Sequence, residues 1–484
     1  MVLRVLRSRF AAIPLLLVSA AGFYLGTGLR PEPLLAFLAP IPVLLFAVEM
    51  PWWIAAGTAF AAYLLGTSNM WSYYSVSHDV PMPVAIGICL GGAVLFALAT
   101  VLFRALLGRG HVLLGILAVP AVWTGVLFLV SLLSPVGVVG TMASTLGNAP
   151  ALLQIASVTG GWGVEFLVLL VPTVIAAAFA SRPAVWTAVV VAVLAVLAVG
   201  GASVRMIVQD SGSGELVAAV ARNQSHWGTD LATPAGRETV ASYVGQIAQL
   251  PKEVRLVVLP EGIFSGDGTS LAELSGPMRE IARARDVNVV VGVILSAPEG
   301  RYNAALGVPA GGGESVVYRK HNIGTAPNTR PGDTLAFVPD TRVGVEICMD
   351  VNMAGPSRDY AGADVVAIPA SDEDVNGEQH SRAAVLRAVE YGYPVVWSAQ
   401  RGMQTIADGW GRVIAETRTT GRDGFSWVTA ELSAGPGSTP YARFGDVFAW
   451  LCVAIAALSI VVSGRDRRRA PAPPTVVTSG SARG

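Results

Sequence analysis

Residues 343–350 read Val343-Gly344-Val345-Glu346-Ile347-Cys348-Met349-Asp350, an apolar β-rich segment that runs directly into polar residues. The same arrangement recurs at residues 254–261, which end in Glu261, and at residues 316–320, which end in Lys320. Short Val and Ile runs of this kind are typical of strands buried inside a sheet. Because a sheet presents side chains in a crevice beyond the carboxyl ends of its strands, we expect these three polar residues to lie close together.

Strand-like and helix-like segments alternate on both sides of this stretch. The sequence predicts strands at 216–221, 254–259, 287–295, 315–318, 343–347, 365–368 and 395–398. It predicts helices at 237–250, 271–285 and 379–391. The Gly311 to Gly313 run has the chemistry of a turn between two strands. Residues 206–444 are therefore predicted to form one layered α/β domain, and their number is sufficient for a substantial core.

The remainder of the chain is apolar. The 484 residues are 53% hydrophobic and 14% charged, whereas an ordinary soluble domain is about 25% charged. Runs of spanning length, about 17 to 25 residues, occur near 10–29, 32–49, 51–68, 84–105, 112–133, 162–180, 184–205 and 445–463. The first run has no convincing cleavage site, so we interpret it as a retained span.

These runs predict four segments of the chain. We expect a seven-span membrane domain at 1–205, the polar domain at 206–444, a C-terminal transmembrane helix at 445–463 and a disordered tail at 464–484.

Basic residues in the short loops would lie on one side of the membrane, and they mark that side as cytoplasmic. They are Arg4, Arg7, Arg9, Arg104, Arg109, Arg182, Arg465, Arg467, Arg468 and Arg469. The polar domain is then extracytoplasmic and both termini are cytoplasmic. The formal net charge of zero gives no reason to expect a nucleic-acid partner.

Each of the three strand-end residues has a chemical and a purely structural interpretation. Glu261 could transfer protons, or it could be a solvated carboxylate that begins a loop. Lys320 could stabilise a developing oxyanion, or it could be a solvated residue at the end of an edge strand. Cys348 could be a nucleophile on a sharp turn, or it could be a small buried apolar residue. It is the single cysteine of the polar domain, which excludes a disulfide framework there.

Activation of this thiol by a histidine or a metal is not indicated by the sequence. The usual thiol activator is histidine, but none of the five histidines has a matching placement. Neither a His-x-x-x-His pair nor a paired-cysteine metal spacing occurs. The remaining way to activate Cys348 is a carboxylate base with a lysine.

The motifs around these residues resemble the carbon-nitrogen hydrolase, or nitrilase, superfamily, and within it the apolipoprotein N-acyltransferases. The resemblance is carried by Leu259-Pro260-Glu261-Gly262, Tyr318-Arg319-Lys320-His321, Glu346 to Asp350, Arg387 to Pro394 and Ala407 to Arg412. Outside these motifs it extends to Leu153-Gln154, to Gly160 to Phe166 and to Ser438 to Asp446. Trp227, shortly after Arg222-Asn223-Gln224, matches a tryptophan of the family.

The resemblance implies a fold and a function. It implies an αββα sandwich of the nitrilase type joined to a bundle of about eight helical spans. It implies transfer of a phospholipid acyl chain, through a thioester on Cys348, to the amine of a diacylglyceryl-cysteine lipoprotein. The catalytic residues would be Glu261, Lys320 and Cys348. Supporting residues would be Met349, Asp350, Asn328, Trp227 and Glu390. No cofactor or metal is implied, and we expect a monomer in the cell membrane.

Two other functions remain open at this point. A membrane-anchored amidase is suggested by Met349-Asp350 after the cysteine, where the acyltransferases prefer Tyr-Glu, and by the short interval between Lys320 and Cys348. A catalytically impaired homologue that binds lipoproteins is suggested by Asn328, which occupies the position of the family's usual second glutamate.

Overall fold

The computed structural model describes residues 9–76, 80–137, 141–180, 182–208, 214–223, 227–324, 326, 328–419 and 424–469. Up to residue 208 the described chain is helical. Its α-helices are α1 (Ala12–Gly26), α2 (Pro33–Leu38), α3 (Ile41–Glu49), α4 (Trp52–Gly66), α5 (Trp71–Val76), α6 (Met82–Leu107), α7 (Val112–Ser131), α8 (Met142–Thr145), α9 (Pro150–Leu153), α10 (Ala156–Thr159), α11 (Gly161–Ala178) and α12 (Arg182–Val208).

Within the described residues, five helices are long and apolar enough to cross a membrane, as judged by length and composition. They are Met82–Leu107, Val112–Ser131, Gly161–Ala178, Pro183–Ile207 and Val447–Arg465. They coincide with the last five predicted spans, so the expectation of several long apolar helices is confirmed. The first three predicted runs form shorter helices, and the second run is divided into α2 and α3 where Pro40 precedes α3. The count of eight spans stays a prediction.

The rest of the described chain alternates strands and helices. The strands are β1 (Glu215–Arg222), β2 (Thr229–Asp230), β3 (Val254–Val258), β4 (Phe264–Asp267), β5 (Asn288–Ala297), β6 (Gly300–Val308), β7 (Val316–Arg319), β8 (Val343–Val345), β9 (Val365–Ala370), β10 (Val395–Ala399), β11 (Met403–Ala407), β12 (Val413–Arg418) and β13 (Phe425–Leu432). The α-helices are α13 (Pro234–Gln249), α14 (Ala272–Arg285), α15 (Gly377–Tyr391), α16 (Pro440–Phe444) and α17 (Val447–Arg469).

The strands form two sheets. The eight-stranded sheet has the order β13-β1-β3-β5-β4-β2, and β6 and β7 continue it as antiparallel neighbours beyond β5. The five-stranded sheet has the order β12-β11-β10-β9-β8, with β8, β9 and β10 parallel. The parallel strands at the centre of each sheet are buried on both faces, which explains their continuous Val and Ile runs.

The two sheets pack face to face between layers of helices. In β1 the alternating side chains divide between two cores: Ala218 and Val220 face α13 and α14, whereas Val217 and Ala219 face the second sheet. Helix α15 covers the outer face of the second sheet and packs on its other side against α8. The structure therefore confirms the predicted αββα sandwich, and its last helical layer lies against the membrane helices.

All seven predicted strands are present, with ends shifted by a few residues. Sequence reasoning missed β2, β4, β6, β11, β12 and β13. β6 has Gly300, Arg301 and Asn303 in its first half and its apolar half is mostly Ala and Gly, and β12 alternates exposed and half-buried residues. Helix α17 extends to Arg469, so the predicted tail begins with helix, and its residues 470–484 lie outside the described residues. The proposed domain boundaries stay predictions.

Candidate active site

Three strand ends bring Glu261, Lys320 and Cys348 to one edge of the sandwich. Glu261 follows β3 after Leu259 and Pro260, and its backbone N–H donates to the carbonyl of Ala370 at the end of β9, at 3.1 Å. Lys320 directly follows β7, and its N–H donates to Asn303 of β6 at 2.8 Å. Cys348 follows β8 of the second sheet. The site therefore joins both sheets, as the strand-end argument predicts.

Glu261 and Lys320 form a buried ion pair. The Nζ of Lys320 lies 2.7 Å from Oε1 of Glu261, and the two side chains are 7% and 2% exposed. Oε1 also accepts a hydrogen bond of 2.6 Å from the side-chain amide of Asn303. Gln400 donates its side-chain amide to the Glu261 carbonyl. Charged groups at this depth are stable only when they are paired and hydrogen-bonded, and this pair meets both conditions.

The surroundings of the site favour the charged form of Lys320 and disfavour the charged form of Cys348. Burial lowers the pKa of Lys320, but the charges of Glu261, Cys348 and Asp350 outweigh burial, so the net pKa is raised and the ammonium is retained. Burial raises the pKa of the Cys348 thiol well above its ordinary value, and Glu261 and Asp372 raise it further, while Lys320 opposes them. The surroundings of Cys348 therefore favour the protonated thiol over the thiolate.

The backbone holds Cys348 on a strained turn. Its φ is +43°, a left-handed conformation that non-glycine residues adopt rarely. The residue begins a 3-10 helix, Cys348–Asn352, immediately after the second sheet's strand β8. Asp350 fixes this turn, because its carboxylate accepts from Tyr318 OH at 2.8 Å and from the N–H groups of Ile347 and Asn322 at 3.0 and 2.8 Å. Such a turn presents a nucleophile at the sheet edge.

A histidine lies beside the thiol, which corrects the expectation that none is suitably placed. Nδ1 of His380 is 4.0 Å from Sγ of Cys348 and 2.8 Å from Oδ1 of Asp372. The second carboxylate oxygen of Asp372 accepts from Trp397 Nε1 at 3.3 Å. Asp372 directly follows the end of β9, so the strand-end argument could have found it. His380 lies in the first turn of α15, and no sequence pattern places that turn against Cys348.

The expected supporting residues lie in different places. Asp350 and Met349 belong to the Cys348 turn, and Met349 lines the cleft at the thiol. The Trp227 ring packs on Gly262, where an added Cβ would lie 2.8 Å from it. Asn328 is exposed and is not among the described residues that line this cleft. Glu390 instead lies at the junction with the membrane helices, where it accepts from the N–H of Gly161 at 2.6 Å.

Two neighbouring cavities lie where the sandwich meets the membrane part, and Cys348 lines one of them. The cleft at Cys348 has a volume of about 40 Å³ and is lined by polar groups of the sandwich and by Val80 and Val136 of the membrane part. The same two valines line a cavity of about 530 Å³ among α4, α6 and α7. The surface of this larger cavity is mainly apolar. The Cys348 thiol therefore lines a polar cleft that shares two lining residues with an apolar cavity among the membrane helices.

Comparison with known proteins matches both halves of the chain to families. A family model described as Carbon-nitrogen hydrolase matches residues 216–435. A second, described as Apolipoprotein N-acyltransferase N-terminal domain, matches residues 19–174.

Two curated relatives are named Apolipoprotein N-acyltransferase. The protein of Geobacter metallireducens is 27% identical over 367 residues, which are 65% of this chain and 68% of that protein. The protein of Bradyrhizobium diazoefficiens is 40% identical over 93 residues, which are 19% of this chain and 17% of that protein.

Among solved structures, Saccharomyces cerevisiae Nit3 of the nitrilase superfamily aligns with 46% of this chain and 91% of its own, at a TM-score of 0.38 and 19% identity. An amidase from Nesterenkonia sp. aligns with 46% of this chain and 93% of its own, at a TM-score of 0.37 and 18% identity. With its acyltransferase N-terminal domain joined to a carbon-nitrogen hydrolase domain, the chain belongs to the apolipoprotein N-acyltransferase family.

Proposed function

We propose that this protein transfers an acyl chain from a membrane phospholipid, through a thioester on Cys348, to the N-terminal amine of a diacylglyceryl-cysteine lipoprotein. The observation that carries the proposal is the apolar cavity of about 530 Å³ that shares the lining residues Val80 and Val136 with the cleft at Cys348. A cavity of this size and lining suits an aliphatic chain, and it would place the chain's ester near the thiol. A small polar amide would gain nothing from it.

In the first half-reaction Glu261 acts as general base. It takes the thiol proton as Sγ attacks the ester carbonyl, which is required because burial raises the pKa of Cys348. The oxyanion of the tetrahedral intermediate is stabilised by the Lys320 ammonium and by the backbone N–H of Met349 at the start of the 3-10 helix. The intermediate collapses to a thioester on Cys348, and the lysophospholipid leaves with the proton from Glu261.

In the second half-reaction the lipoprotein amine replaces the phospholipid. The amine nitrogen attacks the thioester carbonyl while Glu261 accepts a proton from it. The new amide forms, the carbon–sulfur bond breaks, and the Cys348 sulfur regains its proton. We further propose that Asp350 holds the turn that carries Cys348, that Trp227 shields the backbone next to Glu261, and that the sandwich faces the extracytoplasmic side of the membrane.

The thioester is the direct test of this proposal. Purified full-length protein incubated with a defined phosphatidylethanolamine should gain the mass of one acyl chain at Cys348, as measured by intact and peptide mass spectrometry. A diacylated lipopeptide with a free amine should then discharge the enzyme and gain an amide-linked chain. A Cys348→Ala variant that still acylated the lipopeptide would overturn the assignment.

A second candidate is a membrane-anchored amidase. The observation that favours it is the small cleft of about 40 Å³ at Cys348, which suits a small amide. Release of ammonia from short amides without any amine acceptor would favour hydrolysis, whereas acyl transfer requires the lipopeptide. If an electrophilic lipid probe failed to label Cys348, the protein would instead be a lipoprotein-binding homologue without turnover.

A further inference from the structure

Three side chains at the thiol form a set of donor atoms suited to a transition-metal ion. One donor atom from each of Cys348, Asp372 and His380 lies within 4.8 Å of the other two, and all three residues are buried. The Nδ1–Oδ1 distance is 2.8 Å and the Sγ–Nδ1 distance is 4.0 Å. We propose that these residues form a reversible Zn²⁺ site that caps the nucleophile and inhibits the enzyme.

The distances fit zinc with a small adjustment. With bonds of about 2.3 Å to sulfur and about 2.0 to 2.2 Å to nitrogen and oxygen, neighbouring donors of a tetrahedral site lie roughly 3.3 to 3.6 Å apart. The Sγ–Nδ1 distance lies above this range and the Nδ1–Oδ1 distance lies below it, and all three donors lie within 4.8 Å of one another, so zinc binding requires side-chain movements of up to about 1 Å. The adjoining cleft of about 40 Å³ has room for a water molecule as the fourth ligand.

The charges also favour a divalent cation. Cys348 and Asp372 are both buried, which means that unpaired negative charge on either group is costly here. The described partners of the Asp372 carboxylate are His380 and Trp397. On binding, Zn²⁺ replaces the thiol proton, which is released to solvent, and the thiolate and carboxylate together neutralise the ion. The donor set of sulfur, imidazole and carboxylate is one that zinc prefers.

The hydrogen bonds around the three proposed ligands indicate a moderate affinity for zinc. Trp397 Nε1 holds the second oxygen of Asp372, which orients the carboxylate. For Nδ1 of His380 to bind the metal, the ring hydrogen must move to Nε2, and among the described residues no group hydrogen-bonds that buried nitrogen. This uncompensated N–H weakens binding. We therefore infer that zinc binds reversibly, and that the occupancy of the site depends on the zinc concentration in the surrounding solution.

Cobalt provides the test, because a thiolate bound to Co²⁺ absorbs in the near ultraviolet. Metal-free full-length protein in detergent should develop this band on titration with one equivalent of Co²⁺, and Zn²⁺ should abolish it. The band should be absent in Cys348→Ser, and the affinity should fall at least about ten-fold in His380→Ala and Asp372→Asn. His111→Ala and Cys452→Ala, which alter a histidine and a cysteine elsewhere, should leave the titration unchanged.

Alkylation of the wild-type protein gives an independent readout that needs no variant to fold. Zn²⁺ should slow alkylation of Cys348 at least about ten-fold, and EDTA should restore it. No cobalt band in the wild type, or a band that survives Cys348→Ser, would overturn the site. The inhibitory role rests on the proposed acyl transfer, but metal binding does not. Thioester formation without cobalt binding would reject the metal site alone, and cobalt binding without thioester formation would reject the acyl transfer alone.

Discussion

At the scale of single residues, the strain at Cys348 is open to direct measurement. A non-glycine residue in the left-handed region costs about 1 to 2 kcal/mol, and glycine avoids this cost. Both Cys348→Gly and Cys348→Ala remove the thiol, so they differ mainly in backbone strain. We expect Cys348→Gly to be the more stable of the two by about 1 kcal/mol, as measured by chemical denaturation in detergent.

In an ordinary helix we expect the opposite, namely that alanine is more stable than glycine at the same position. Ala241 lies exposed in α13, and Ala241→Gly should destabilise the protein by about 0.5 to 1 kcal/mol. If Cys348→Ala were as stable as Cys348→Gly, the turn that carries the nucleophile would not be strained.

A second residue-scale prediction concerns Glu346, two positions before the nucleophile. Burial, reinforced by Asp350, raises its pKa to about 8, against a hydrogen bond from Ser357 that lowers it. Because the folded state holds this proton more tightly than the unfolded chain, stability is highest below the ordinary pKa and is lost as the pH rises to about 8. The slope is at most about 1.4 kcal/mol per pH unit.

Glu346→Gln should remove this dependence. We expect the melting temperature of the wild type to fall more steeply than that of the variant between about pH 5 and about pH 8. Asp267→Asn is the matched control, since hydrogen bonds from Ser270 and Thr269 lower the pKa of Asp267 to about 2, and its carboxylate is ionised throughout this range. Parallel melting curves for the wild type and Glu346→Gln would contradict the assignment.

At the scale of elements, the sequence could predict what depends on one strand at a time. Glu261, Lys320 and Cys348 were found because each follows an apolar run, and parallel strands bring such ends to one edge. His380 was not found, because its distance to Cys348 depends on how α15 packs against β10 and β11. Hydropathy alone also does not show that Pro40 divides the second apolar run into helices α2 and α3.

Helix α6 provides an element-scale prediction that rests on the proposed acyl transfer. Gly87 and Gly91 lie about one turn apart and both line the apolar cavity, and an added Cβ at either would meet no atom within 4 Å. A larger side chain there can therefore enter the cavity without a clash. Gly91→Leu should shift the acyl chains found on Cys348 towards shorter ones when mixed phospholipids compete, as read by mass spectrometry.

Gly57→Leu is the matched control for this change. Gly57 also has open space around it, but it lies on α4 and does not line the cavity. The distribution of acyl-chain lengths found on Cys348 of the Gly57→Leu variant should equal that of the wild type. An unchanged profile in Gly91→Leu would mean that the acyl chain does not occupy this cavity.

At the scale of the whole molecule, a buried acid is one of the groups that join the sandwich to the membrane helices. Glu390 of α15 accepts from the N–H of Gly161 at the start of α11, and it pairs with Arg387. Arg387 Nε in turn donates to the carbonyl of Val351, at 2.8 Å, within the 3-10 helix that begins at Cys348. A continuous set of polar contacts therefore connects a membrane helix to the turn of the nucleophile.

Removing this acid should affect stability and the site together. Glu390→Ala leaves Arg387 buried without its partner, which costs about 3 to 5 kcal/mol, while Glu390→Gln keeps an acceptor for Gly161 and should lose less. We expect the melting temperature in detergent to fall from wild type to Glu390→Gln to Glu390→Ala. The rate of Cys348 alkylation should rise in the same order, because the turn that carries the thiol is held less firmly. Asp364→Ala, which breaks the exposed pair with Arg342, should cost no more than about 1 kcal/mol. If Glu390→Ala melted like the wild type and its thiol reacted at the wild-type rate, the contacts through Arg387 would not connect the two parts of the molecule.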